Sequence, residues 1–480
     1  MKKSVQYCVL AAAMIATVSI AVSQQRGPAR GGAAAANSMD WPTFGGDNAR
    51  SNANMAAMKI TPANVGSMVR QQVTISAPID AGLIYLRGVQ VNGASHDTFF
   101  GTTNLGRTVA IDAKEGKVLW EFAPPGFDEG VAMNPPRGAP DANPMAGVKQ
   151  ITNSTPVADD NRQFIYAASS DGKVTKIAIA DGKAVWSTAV TKLPKIEKMD
   201  SPLSFVNGRV IVPTAGYVGD MGPYQGHVLV LNAATGAIEH VWNSLCSDRL
   251  ELMDPTTCQA RQSAIWGRAG IVHDPATGNL LFATGNGNYD GKTSWGDALI
   301  MLDPLATKML GNWTTSNNAE LNRRDLDMGS TSPVLLGDGY IAQGGKDGTV
   351  RLVTMDIIKG TDAHQGGELQ VVQVPNNAQL LSASATAKID GKTYLFVSQG
   401  GRGGGGTNAW TLTDHKLVEA WKSMSGGNTP FYANGMLFIY NAQGGGLLVL
   451  DARTGASVAT LQSGSGHWNS AIVVDDRIAL

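Results

Sequence analysis

Residues 232–242 read NAATGAIEHVW, and the same pattern returns as DAKEGKVLW at 112–120, DPLATKMLGNW at 303–313 and DARTGASVATL at 451–461. Each copy follows an apolar run, opens on Asp or Asn, turns through Gly or Thr, and closes on Trp or, in the last copy, on Leu461. This is the pattern of a strand, a tight turn and a returning strand, with the indole as a large apolar plug against the next unit. Such a unit cannot bury its faces alone. Repetition of strands and turns at this period predicts the stacked blades of a β-propeller.

Weaker copies at 178–186, 354–359 and 413–421 bring the visible unit ends to seven, spaced by roughly 56 residues. An eighth unit begins with HWNS at 467–470 and continues through 471–474 and 477–480, in the order that NTP at 428–430 takes before 431–440. It stops before a third strand. Residues 65–76, VGSMVRQQVTIS, read as an outer strand without earlier partners. A ring free of exposed edges therefore predicts an all-β, eight-bladed propeller, its last blade closed by N- and C-terminal strands (69–75 with 471–480), with seven blades as the alternative.

The repeat resembles that of the pyrroloquinoline-quinone (PQQ) propellers, the quinoprotein alcohol dehydrogenase-like superfamily, across roughly residues 41–480. The resemblance implies the fold and makes PQQ the candidate cofactor. It leaves two functions open: a quinone-dependent dehydrogenase of small alcohols or polyols, and a non-catalytic envelope propeller that binds another protein. Adjacent cysteines, found in many quinoprotein alcohol dehydrogenases, are absent, as is a Cys-x-x-Cys-His haem signature.

Lys2 and Lys3 precede an apolar stretch at 7–22, and Ala21-Val22-Ser23 offers small residues for cleavage, so 1–23 reads as a signal peptide and 24–40 as a flexible linker. A periplasmic or secreted location follows. With 16% charged residues, a net charge of −1 and 57 glycines, the chain suits a turn-dense β body and not a basic nucleic-acid surface. After cleavage two cysteines remain, Cys246 and Cys258, expected to form a disulfide in an oxidising compartment.

Long loops at 123–150, 215–227, 244–268, 285–297, 317–330 and 399–408 should crowd one face of the ring, around the channel mouth. There Trp266 and Trp468 are candidate stacking surfaces for a planar quinone, while Arg268, Lys346 and Arg402 are candidate cations for its carboxylates. Core caps and solvated turns are the alternatives. Asp325 and Asp327 are candidates for a general base that takes a hydroxyl proton, against a turn-capping role. Asn286, Asn288, Asp290 and Asp297 have the alternate spacing of a calcium loop, which makes Ca²⁺ a second candidate ligand; a Gly-Asn turn is the alternative.

Overall fold

A computed structural model describes residues 40–56, 59–124, 150–217, 220, 222–400 and 405–480; the signal-peptide and linker segments lie outside them. Seven antiparallel sheets follow one another along the chain, each ordered from the channel outward. Their innermost strands are Ile84–Val91, Val157–Ala158, Ser204–Val206, Val272–His273, Val334–Gly337, Ala385–Ile389 and Phe431–Ala433. Their outermost strands are Lys117–Phe122, Ala184–Ala189, Ile238–Asn243, Met309–Trp313, Gln370–Gln373, Lys416–Ser423 and Ser457–Leu461. The fold is a β-propeller.

The repeated residues form the joints of the ring. Asp112, Asn232 and Asp451 each accept two backbone N–H groups through Oδ1 and so close the turn that follows them. The Trp then reaches the turn of the next blade: the Nε1 atoms of Trp120, Trp186 and Trp421 donate to the carbonyls of Ile179, Ala233 and Ala452. Their rings lie on Gly182, Gly236 and Gly455, all at positive φ, where a side chain would strike the indole. Between neighbouring sheets runs an apolar layer, such as Ile84, Phe100, Trp120, Ile165 and Ile177 between the first and second. Burial of these layers is the main stabilising term.

Three expectations change. Seven sheets carry the full complement of strands, so the alternative blade count stands. The eighth position holds only the hairpin Ile472–Val474 and Arg477–Ala479, wedged between the seventh and first sheets by Val473, Tyr85 and Phe438. Residues 69–75 form no strand; Met68, Val73 and Ile75 instead pack on that apolar layer. Three of the residues at 69–72 are charged or amidated, too polar to enter the layer as a strand face. At 354–359, read as a weakened strand copy, Thr354 caps a helical turn at Met355–Ile358.

The strand that does join the ring from the N-terminus is Ala53–Asn54, paired in parallel with Phe431–Ala433. It ends a strap, residues 41–54, that runs along the inner strands. Trp41 pairs with Tyr85, Pro42 O accepts from Ala158, Asn48 bonds Phe205 and His273, and Ser51 and Asn52 bond Thr386 and Tyr432. Arg50, buried, donates to Thr43 and Phe44 within the strap and to Leu203, Ser204 and Ile271 of two blades. Phe44 packs on Ala269 and Ala383 and fills the bore.

Candidate functional site

Four of the long loops meet at the mouth, as their lengths suggested: Gln225 bridges to Gln262, Gln262 to Gly287, Leu245 to Ser294, and Asn286 reaches Asp327. Residues 125–149 and Arg402 lie outside the described residues. Cys246 and Cys258 are bonded, stapling the loop between the third and fourth sheets.

Asp327 occupies the centre. It enters from the connection between the fourth and fifth sheets, just before the turn Met328–Ser330. Its Oδ2 accepts from Trp266 Nε1 at 3.0 Å and lies 3.0 Å from Lys346 Nζ; its Oδ1 accepts the backbone N–H of Asn286 at 2.9 Å. Lys346 sits in the turn between Tyr340–Gly344 and Thr349–Thr354, and its own N–H is held by the Asp327 carbonyl. Its ammonium also contacts Asp325 at 2.9 Å and hangs 5.2 Å from the centre of the Trp266 ring. The three partners of the Asp327 side chain thus come from the connection before the fourth sheet, a loop of the fourth sheet and a turn of the fifth.

The two aspartates differ. Asp325 caps the helix Asn318–Arg324 in the left-handed region, at φ 55°, with its carboxylate mostly in solvent. Asp327 is buried, which pushes its pKa upward, and Lys346 and the Asn286 N–H pull partly against that shift. Burial likewise disfavours the Lys346 ammonium, but Asp327 and Asp325 outweigh it and its pKa rises. The group is a shielded carboxylate held by an indole, an amide and an ammonium beside a half-buried aromatic face.

Arg268, two residues after Trp266, turns to another partner: its guanidinium stacks 3.9 Å above the Trp468 ring. Trp468 is set by Asp80, which accepts its N–H at 2.6 Å together with His467 Nδ1 and Asn153 Nδ2. Asp80 and Asn153 escaped the sequence reading. A signal was present: Ser or Thr before Pro recurs at 155–156, 201–202, 332–333 and 429–430, just ahead of inner strands, and marks residues that face the mouth.

The calcium spacing builds a different structure. Asp290 Oδ1 accepts the N–H groups of Lys292, Thr293 and Ser294, closing a turn. Asn288 is exposed, Asn286 Nδ2 faces Asp220, and Asp297 lies fully buried with Oδ1 on the Met328 N–H. The four side chains do not converge, and among the described residues no group of three or more His, Cys, Asp or Glu is placed to hold a metal. Asp290 Oδ1 is taken by three N–H groups and Asn288 is exposed while Asn286 and Asp297 are buried, so this set does not fit Ca²⁺.

PQQ is another matter. The Trp266 face, with the Asp327 carboxylate at its edge, suits a planar ring, and buried Arg268 Nε, which has no hydrogen-bond partner among the described residues, suits its carboxylates. The family model described as outer membrane protein assembly factor BamB matches residues 70–244. The quinohemoprotein alcohol dehydrogenase ADH IIB of Pseudomonas putida is 25% identical over 219 residues, 42% of this chain and 29% of that one. The dehydrogenase subunit of the quinone alcohol dehydrogenase of Komagataeibacter europaeus is 23% identical over 337 residues, 62% of this chain and 39% of its own. In repeat and fold, the chain resembles the PQQ-type propellers of the quinoprotein alcohol dehydrogenase-like superfamily.

This propeller spans well under half the length of those two relatives. Among solved structures it superposes on quinohemoprotein alcohol dehydrogenase from Comamonas testosteroni with a TM-score of 0.64 at 16% identity, covering 93% of this chain and 77% of the other. A europium-containing methanol dehydrogenase gives 0.62 at 14%, covering 90% and 87%.

Proposed function

We propose that this propeller is an exported, PQQ-dependent dehydrogenase of small alcohols or polyols. The observation that carries the reading is the buried Asp327 carboxylate, bonded to Trp266 and Lys346 at the open face of the channel. A purely architectural ring gains nothing from desolvating a carboxylate and an ammonium there. The relatives' names, alcohol dehydrogenases and a methanol dehydrogenase, support the same substrate class. The Cys246–Cys258 bond supports export, and no helix among the described residues is long and apolar enough to cross a membrane.

In this reading Trp266 supplies the stacking face and Asp327 the base. Bound PQQ supplies a two-electron sink. Burial gives Asp327 a greater proton affinity than a surface aspartate, so it would accept the substrate hydroxyl proton. The Trp266 and Asn286 N–H groups fix the carboxylate's orientation, and Lys346 keeps it ionised before the proton arrives.

A second reading has one finding in its favour, the match of residues 70–244 to the assembly-factor family. Reconstitution separates the two. Purified protein is incubated with PQQ, with and without Ca²⁺, and reduction of an artificial dye is followed on an alcohol panel. Turnover that needs PQQ is the expected result; neither binding nor turnover would give the scaffold reading the lead.

A further inference from the structure

We propose that Arg268, stacked on Trp468, is a receptor for a ligand carboxylate at the channel mouth. The side chain is only 8% exposed, and no hydrogen bond or ion pair joins it to any described residue. A guanidinium carries five N–H donors and stays charged, and its buried Nε–H has no hydrogen-bond partner among the described residues, which is costly in a desolvated place. Stacking on Trp468 satisfies its face and leaves the in-plane donor edges for a planar, two-oxygen acceptor.

The groups around it explain why the protein itself does not supply that acceptor. Asp80 is near enough to act on Arg268 electrostatically, but its oxygens are taken by the Trp468 N–H, His467 and Asn153. Asp200, the other carboxylate felt by Arg268, pairs with Lys198 at 2.6 Å. These charges keep Arg268 a cation without engaging its donors. Lys346, by contrast, is bound to Asp325 and Asp327 and is not free for a ligand anion. Of the candidate cations among the described residues, Arg268 and not Lys346 is therefore the one left for a ligand anion. This assignment deepens the dehydrogenase reading, although its geometry does not depend on the quinone.

Two sources could bring the carboxylate: the quinone itself or a small carboxylate-bearing substrate. Malonate and PQQ are the two probes, each applied to wild type, R268M and R268K. Melting temperature is read with malonate against sodium chloride of equal ionic strength, and PQQ binding by Trp fluorescence. The expected result has three parts: R268M alone melts no lower than wild type, because an unpaired buried cation has been removed; at least one probe binds wild type; and R268M weakens that probe by about tenfold or more, with R268K between them. Stabilisation by malonate identifies the small-carboxylate source, and PQQ binding with malonate inert identifies the quinone. Malonate binding through Arg268 without any PQQ binding would sustain the subsite and end the quinone reading. If neither probe binds wild type, or R268M lowers the melting temperature and leaves binding intact, Arg268 is structural and the proposal fails. Should R268M not fold, R268K decides, since it retains charge but not the fork.

Discussion

Trp266 and Asp327, residues of successive interblade connections, are joined by a 3.0 Å hydrogen bond from the indole Nε1 to a carboxylate oxygen. One side chain therefore offers a face and, through its edge, sets the oxygen beside it. The two roles are separable by chemistry. Trp266→Phe keeps an aromatic face and deletes the donor. PQQ affinity should stay within about threefold while kcat for dye reduction drops roughly tenfold. Equal losses in both would mean that the ring matters and the bond does not.

Lys346→Met removes the ammonium that opposes the burial-driven rise in the Asp327 pKa. The base then holds its proton to higher pH, so the acid limb of the kcat profile moves in the alkaline direction. Because the partner carboxylate stays buried, the melting temperature should fall at neutral pH and recover as the pH is lowered. An unmoved acid limb would separate Lys346 from the chemistry.

How far the residues announced these contacts differs from place to place. The Trp and Asx-turn joints were legible because each is local: a turn needs Asp or Asn at its start, Gly at its bend, and the indole follows at a fixed distance. Trp266, Asp327 and Lys346 could be placed at the mouth from loop order alone. Their mutual bonds join positions 61 and 19 residues apart, and no pattern along the chain encodes such a pair. The calcium spacing misled for a related reason. Spacing gives the order of oxygens, whereas the Asp290 carboxylate was claimed by three nearby N–H groups. The strap was missed because 41–54 carries no period and its partners belong to six different sheets.

Burial pushes the Asp297 pKa well above the usual carboxylate range, with Asp327 adding to the shift. Its folded-state pKa lies above the unfolded one, so its contribution to stability is complete below about pH 4 and is lost as pH rises through the folded value. Asp297→Asn mimics the neutral acid and should flatten that part of the melting-temperature profile, leaving the protein at least as stable at neutral pH. A uniform loss at every pH would show that the unpartnered Oδ2 has a role that an amide cannot fill.

Opening the Cys246–Cys258 bond should cost about 3 kcal/mol in the chain-entropy account. The paired Ser variant is the cleaner probe, because Leu245 and Met253 pack directly on the bridge. Proteolysis within 246–258 should rise well before global unfolding does. Alkylation of the denatured, unreduced wild type should label neither cysteine.

Arg50→Met strips the donors from carbonyls of Phe44, Leu203 and Ile271 together. Loss of a buried charged hub of this kind should destabilise by about 3–5 kcal/mol, seen as a lower denaturant midpoint at unchanged slope. A change within error would mean that the apolar strap contacts suffice by themselves.

Phe44 packs on Ala269 and Ala383, and Arg50 beside it bonds the Leu203 and Ile271 carbonyls, so the strap crosses from blade to blade along the inner strands. If the strap closes that side, a planar guest seated on Trp266 would enter and leave by the mouth, and a second molecule bound there would slow its release.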